Sequence, residues 1–222
     1  MNKVSVITGG GGGMGIEIAR RLAASTKVLI AESQPSRIDI ARQELEGLDI
    51  EYVQADTTNT EDLRKLAEKA ASLGEVANVI CAAGISQIHN GAERSPEEII
   101  RINAGGTLHT NEAFIPLLKE GSVLINISSM TSYNFEMADF IEGFKEALKG
   151  DFSKMIGYCE GNNSKAYSVS KIFIRWLSLS SIERLSDRGA RVISISPGSI
   201  VTPMTDEVEA AMPGLISSFN FV

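Results

Sequence analysis

Short apolar, β-branched runs recur along the chain at residues 4–8 (VSVIT), 27–31 (KVLIA), 50–55 (IEYVQA), 76–82 (VANVICA), 122–128 (SVLINIS) and 191–196 (RVISIS). Runs that are apolar on both faces suit strands buried in a parallel sheet. Segments of helical length separate them. Residues 16–24 carry Ile16, Ala19, Leu22 and Ala23 on one stripe, and residues 61–73 carry Leu63, Leu66, Ala67 and Ala70. Residues 96–119 and 164–187 read as two longer helices. This alternation predicts an α/β fold, a doubly wound Rossmann-type parallel sheet with helices on both faces. Right-handed crossovers would then gather the strand carboxyl ends, and any ligand, on one edge.

One segment breaks the alternation, about 130–163. Met137, Phe140, Ile141, Phe144 and Leu148 fall there at helical spacing, and Lys149-Gly150 reads as a helix end. A small helical insertion is expected, as a stripe packed on the core or as a substrate lid. No linker or repeat divides the chain, so residues 1–222 are expected to form a single domain.

Composition narrows the function. The net charge of -7 argues against nucleic acid, whose binding needs a basic stripe. No apolar stretch reaches the ~20 residues of a membrane-spanning helix, and the N-terminal run is broken too early by glycines for a signal peptide. Cys81 and Cys159 make no disulfide framework, so a reducing cytoplasm is the expected location. His89 and His109 lie 20 residues apart with no cysteine nearby, which is no metal-binding spacing.

The chemistry begins at Thr8-Gly9-Gly10-Gly11-Gly12-Gly13-Met14-Gly15-Ile16, between the first strand and the first helix. Glycines there let a pyrophosphate approach the backbone, and the helix offers unpaired N–H groups and a positive dipole end. Five consecutive glycines leave two registers open: Gly9 with Gly13 and Gly15, or Gly10 with Gly12 and Gly15. No Gly-Lys-Ser/Thr follows, so a kinase or ATPase is excluded. Glu32 ends the second strand 17 residues past Gly15, where an acidic side chain takes the adenosine ribose hydroxyls and repels a 2′-phosphate. NAD is therefore favoured over NADP, against which stands Arg37, close enough to swing toward a phosphate.

Tyr167-Ser168-Val169-Ser170-Lys171 puts Tyr167 and Lys171 on one helix face. Asn126-Ile127-Ser128-Ser129 ends a strand at the expected carboxyl edge. With Thr8-Gly-x-x-x-Gly-x-Gly, Asp56, Ala83-Gly84, Asn103 and Pro197-Gly198-x-x-x-Thr202 in this order, the chain resembles the short-chain dehydrogenase/reductase family over residues 4 to about 203.

That resemblance implies an oxidoreductase moving hydride between NAD(H) and a secondary alcohol/ketone pair. It implies Tyr167 as general acid/base, with a phenol made more acidic by Lys171 and the positive nicotinamide. Ser129, rather than the neighbouring Ser128, would hold the substrate oxygen. Asn103 would fix a proton-relay water, although a plain structural tie is the alternative for it. For the cofactor it implies Gly9, Gly12, Gly13, Met14 and Gly15 at the phosphates, Glu32 at the ribose and Asp56 at the adenine. Ala83 and Gly84 would lie beside the adenosine ribose. Lys171, with Tyr167, would reach the nicotinamide ribose, and Pro197, Gly198, Ile200 and Thr202 the nicotinamide end. A homo-dimer or homo-tetramer acting on a small molecule is the family habit.

The 38-residue gap from Ser129 to Tyr167 is longer than in most members. It resembles the bacterial 3α-hydroxysteroid dehydrogenase/carbonyl reductase subgroup, which carries a helical insertion here. Phe135, Phe140, Phe144, Phe152 and Met155 would then suit a bulky, hydrophobic, steroid-like carbonyl. The fourth strand ends Cys81-Ala82-Ala83-Gly84, whereas the family usually has asparagine before the Ala-Gly, and Cys81 reads as a small buried residue. The chain stops 24 residues after Gly198, with no closing strand visible. Two rivals remain: a non-catalytic dinucleotide sensor of the same fold, and an extended-branch sugar-nucleotide epimerase, whose C-terminal substrate domain is not seen here.

Overall fold

A computed structural model describes residues 2–214. All six expected strands form: β1 (Lys3–Thr8), β2 (Lys27–Glu32), β3 (Ile50–Gln54), β4 (Glu75–Cys81), and, after a two-residue hairpin of β5 (Ile88–His89) and β6 (Ala92–Glu93), β7 (Val123–Ile127) and β8 (Arg191–Ile195). They make one parallel sheet in the order β3-β2-β1-β4-β7-β8. The order reverses between β1 and β4, which opens a crevice at their carboxyl ends.

Strand alternation divides the core. Val4 and Val6 of β1 join Leu29 and Val79 against Leu63, Leu66 and Phe114, from α3 (Thr60–Leu73) and α5 (Gly106–Phe114). Ile7 joins Ile30 and Ile80 on the other face, against Ala19 of α1 (Gly13–Leu22) and Ala41 of α2 (Pro35–Glu44). Helix α2 escapes the sequence pattern because it buries only Ile38 and Ala41.

The expected helix at 96–119 is interrupted. A short α4 (Pro96–Ile99), closed by a Ser95–Glu98 capping box, runs into a π-helical turn at Ile100–Gly105 and then α5. The expected helix at 164–187 is α8 (Asn163–Ser180) followed by a separate α9 (Ile182–Ser186). Between β7 and α8 lie short helical pieces, including a 3₁₀ turn at Met137–Phe140, α6 (Ile141–Ala147) and α7 (Ser153–Gly157). Phe140, Phe144, Phe152 and Met155 are buried there with Ile99, Ile100 and Phe173. Phe144 meets Phe173 edge-on at 5.4 Å between centroids. Leu148, expected in the buried stripe, is 46% exposed, because α6 ends at Ala147 and the chain turns at Gly150 (φ +91°).

Strands β3 and β8 are the two sheet edges among the described residues, and α10 (Pro203–Ala211) follows β8. The question of a closing strand falls partly on residues outside the described ones. Cys81 and Cys159 are buried and unpaired, and burial pushes both thiols up, Cys159 to about 11. No helix among the described residues is long and apolar enough to cross a membrane.

Candidate active site

The glycine turn is decided by close backbone contacts. Gly9 has φ +68°, and a Cβ there would lie 2.6 Å from the Ala83 backbone. A Cβ on Gly15 would lie 2.5 Å from the Gly9 carbonyl oxygen. Gly12 is the N-cap of α1 and makes no side-chain capping bond, leaving the first-turn N–H groups pointing past the turn. Gly13 opens α1 under the Thr202 side chain, whose Cγ2 would be 3.0 Å from an added Cβ. Met14 is half-buried against the α1 face of the sheet. A Cβ on Gly10 would lie 2.6 Å from the Ile30 side chain, so Gly9, Gly10 and Gly15 are the positions with the least room, and both registers include Gly15.

Glu32 is buried at the end of β2, and its Oε1 accepts from the backbone N–H groups of Ser33 (2.9 Å) and Gln34 (3.2 Å). Arg37 packs beside Gly11 and points its guanidinium to the Asn90 side chain (3.5 Å). The Asn90 N–H donates to Glu207 of α10 at 2.7 Å. Helix α2, the β5–β6 hairpin and α10 thus meet beside the glycine turn. The hairpin was not legible in the sequence, because two-residue strands carry no period. Asp56 is exposed and accepts from the Thr58 N–H and hydroxyl, both at 2.8 Å.

At the carboxyl edge of β7 the two serines part. Ser128 donates its hydroxyl to the Lys171 carbonyl (2.8 Å), which ties β7 to α8. Ser129 lines a cleft of about 260 Å³ with Tyr167, Thr131, Gly198 and Met204. Its Oγ accepts from the Thr131 N–H (3.2 Å) and lies 3.1 Å from the Thr131 hydroxyl, which donates to it. With both acceptor positions filled, the Ser129 proton is left to donate.

Lys171 is buried and donates from Nζ to the Ile127 carbonyl at 3.0 Å, with the ammonium 5.6 Å from the Tyr167 ring centroid. Burial pulls its pKa down to about 8. Burial raises the Tyr167 phenol above the ordinary value, opposed by a hydrogen bond from Ser129. Within the protein itself, Ser129 is therefore the group that favours phenolate.

Asn103 lies in the π-helical turn and is fully buried. Its Oδ1 accepts from the Ile85 N–H (2.8 Å), and its Nδ2 donates to the Ile85 carbonyl (2.9 Å) and the Ser170 hydroxyl (3.1 Å). The side chain is therefore a tie between the β4 loop and α8. A Cβ on Gly84 would lie 3.1 Å from Asn103 Oδ1 and 3.7 Å from Lys171 Nζ, so this glycine keeps the crevice open. The Pro197 carbonyl accepts from the Met130 N–H (2.9 Å), which anchors the Ser129 turn to the segment after β8. Ile200 is 41% exposed, and Thr202 caps α10 beside Gly13.

One expectation loses its basis. Phe140, Phe144, Phe152 and Met155 are core residues and Phe135 is 39% exposed, and none of the five lines the cleft. The apolar content of the insertion therefore gives the steroid-like reading no support. Sequence reasoning also passed over Thr131, Ser164 and Ser168, all in the cleft wall, because hydroxyl residues in turns and helices give no pattern.

The short chain dehydrogenase family model matches residues 3–140. A short-chain dehydrogenase/reductase of Alternaria brassicicola is 30% identical over 92% of this chain and 76% of its own length. Galactitol 2-dehydrogenase (L-tagatose-forming) of Cereibacter sphaeroides is 24% identical over 90% of this chain and 72% of its own. In fold, the chain is similar to a short-chain type dehydrogenase/reductase from Mycobacterium ulcerans, with a TM-score of 0.75 at 22% identity, covering 97% of this chain and 74% of the other.

Proposed function

This chain belongs to the short-chain dehydrogenase family, and on that premise we propose that it interconverts a secondary alcohol and its ketone using NAD(H). The single observation that carries the reading is the meeting of Ser129, Tyr167 and Lys171 at one sheet edge, beside a turn with no room for a Cβ at Gly9, Gly10 or Gly15. The similar galactitol dehydrogenase, which forms L-tagatose, is consistent with that pair of functional groups.

The residues present fit a dinucleotide. Gly9, Gly12, Gly13 and Gly15 keep Cβ atoms out of the turn, and the uncapped first turn of α1 suits a pyrophosphate. Glu32 would take the ribose hydroxyls. Its carboxylate, together with an Arg37 already turned to Asn90, supports NAD over NADP. When bound, the nicotinamide ring supplies the hydride acceptor or donor. Tyr167 gives or takes the proton on the substrate oxygen, and Ser129 donates a hydrogen bond to that same oxygen. Lys171 holds a positive charge next to the phenol and would hold the cofactor ribose. Thr131 is a positioning residue, since it orients the Ser129 hydroxyl. Asn103 braces the π-helical turn and the start of α8.

Replacing Tyr167 with Phe tests this reading. Turnover of secondary alcohols, followed as NADH absorbance, should fall by about 10²–10⁴-fold, while NADH binding measured by fluorescence persists. A dinucleotide sensor would show no turnover to lose in the wild type. Wild-type kcat/KM should favour NAD over NADP, and the reverse preference refutes the role of Glu32.

A further inference from the structure

Ser164, Tyr167, Ser168 and Lys171 stand at i, i+3, i+4 and i+7 along α8, a spacing that puts them on one helix face. Tyr167 and Lys171 act in the reaction proposed above, and the two serines have no part in it. Both serines line the same cleft as Ser129 and Tyr167.

Ser168 is only 4% exposed, yet its hydroxyl has no hydrogen-bond partner among the described residues. A serine inside a helix ordinarily bonds the carbonyl one turn back. Ser178 does so onto Ile174 (2.9 Å), and Ser181 onto Leu177 (2.7 Å). Ser168, in the same helix as Ser178, keeps its hydroxyl at the cleft instead. The hydroxyl is not among the fully enclosed, unpartnered side-chain atoms, so it opens onto the cleft and is free to bond a ligand there.

The rest of the wall limits what that ligand can be. None of the lining side chains is charged at neutral pH, so a carboxylate or phosphate would find no counter-ion. Met130, Met204 and Val208 offer carbon and sulfur surface to an aliphatic skeleton.

We propose that Ser168, assisted by Ser164, binds a second, non-reacting hydroxyl on the carbon next to the reacting one. The substrate is then a short, uncharged polyhydroxylated compound, a vicinal diol in one direction and an α-hydroxyketone in the other. The hydroxyl of Ser168 pairs with the substrate hydroxyl while Tyr167 and Ser129 hold the reacting oxygen. This rests on the dehydrogenase reading and names its substrate class.

The test compares 2-butanol with 2,3-butanediol, which share a carbon skeleton and differ by one hydroxyl. The wild-type enzyme with NAD should prefer the diol by about tenfold or more in kcat/KM, since a site built to hydrogen-bond a hydroxyl rejects the analogue without it. Ser168→Ala should collapse that ratio to below about threefold, and Ser168→Thr should restore part of it. Ser164→Ala, on the exposed first turn, gives a second and smaller drop in the ratio and serves if the first variant fails to fold. Equal wild-type rates for the two alcohols overturn the proposal, as does a Ser168→Ala variant in which both rates fall together with the ratio kept. If neither alcohol reduces NAD or NADP, it is the dehydrogenase reading that fails, and the subsite falls with it.

Discussion

At the glycine turn between β1 and α1 the useful atoms are backbone N–H groups, and a side chain at Gly9, Gly10 or Gly15 would be in the way. On the facing edge of the crevice, along α8, the useful atoms are a phenol, an ammonium and hydroxyls held in a buried wall. The first region is rigid because strand and helix pack to within a Cβ of each other, with Gly15 against Gly9 and Gly9 against Ala83. The second depends on hydrogen bonds that fix rotatable groups, such as Thr131 onto Ser129 and Asn103 onto Ser170. A backbone site is therefore broken by adding atoms. A side-chain site is broken by removing them, and can be retuned as well as destroyed.

The largest expected effect lies on the backbone side. Gly15→Val places carbon 2.5 Å from the Gly9 carbonyl oxygen, so the turn must move. We expect a stability loss of ~3 kcal/mol or more in denaturant melts, and no measurable dinucleotide binding. Binding retained at wild-type affinity would show that the turn is looser than its contacts imply.

Next comes the buried charge on α8. Folding holds the Lys171 pKa at about 8, below the ordinary 10.5. The unfolded chain then binds the extra proton between these two values, so wild-type stability should rise with pH across that window. Compared with Lys171→Met, the gain should reach up to ~3 kcal/mol. Parallel stability curves for the two proteins from pH 7 to 10 would show that the amine is not desolvated.

The smallest effect should come from Thr131→Val, which removes the hydroxyl donor to Ser129 but keeps the shape. A loss of ~1 kcal/mol corresponds to about fivefold in kcat/KM. The pH–rate profile should move upward, because a less well oriented Ser129 stabilises the phenolate less. Thr131→Ser should restore both. A rate loss with an unmoved profile would leave Thr131 a merely structural residue.

How much of this was legible depends on where the signal sits. The six sheet strands stand out because burial on both faces forces continuous apolar runs, and β1, β2 and β7 fall within a residue or so of the pattern. Helix α2 and the β5–β6 hairpin do not, since each buries too little to impose a period. The helical spacing of Phe140 and Phe144 was legible, but not its destination: an apolar stripe looks the same whether it faces a core or a ligand. Here it faces Phe173 and Trp176 of α8.

The glycine run announced a phosphate turn, because only glycine tolerates such contacts, but which neighbour each missing Cβ would strike depends on Ile30, Ala83 and Thr202, from other parts of the chain. Likewise Tyr167 and Lys171 were bound to share a face by the geometry of one helix. That Ser128 turns to the Lys171 carbonyl while Ser129 enters the cleft, and that burial sets the Tyr167 phenol, depend on contacts between elements distant in the chain. Local spacing fixes what a single helix or turn can display. Desolvation and hydrogen-bond partners exist only once β7, α8 and the loop after β8 have been brought together.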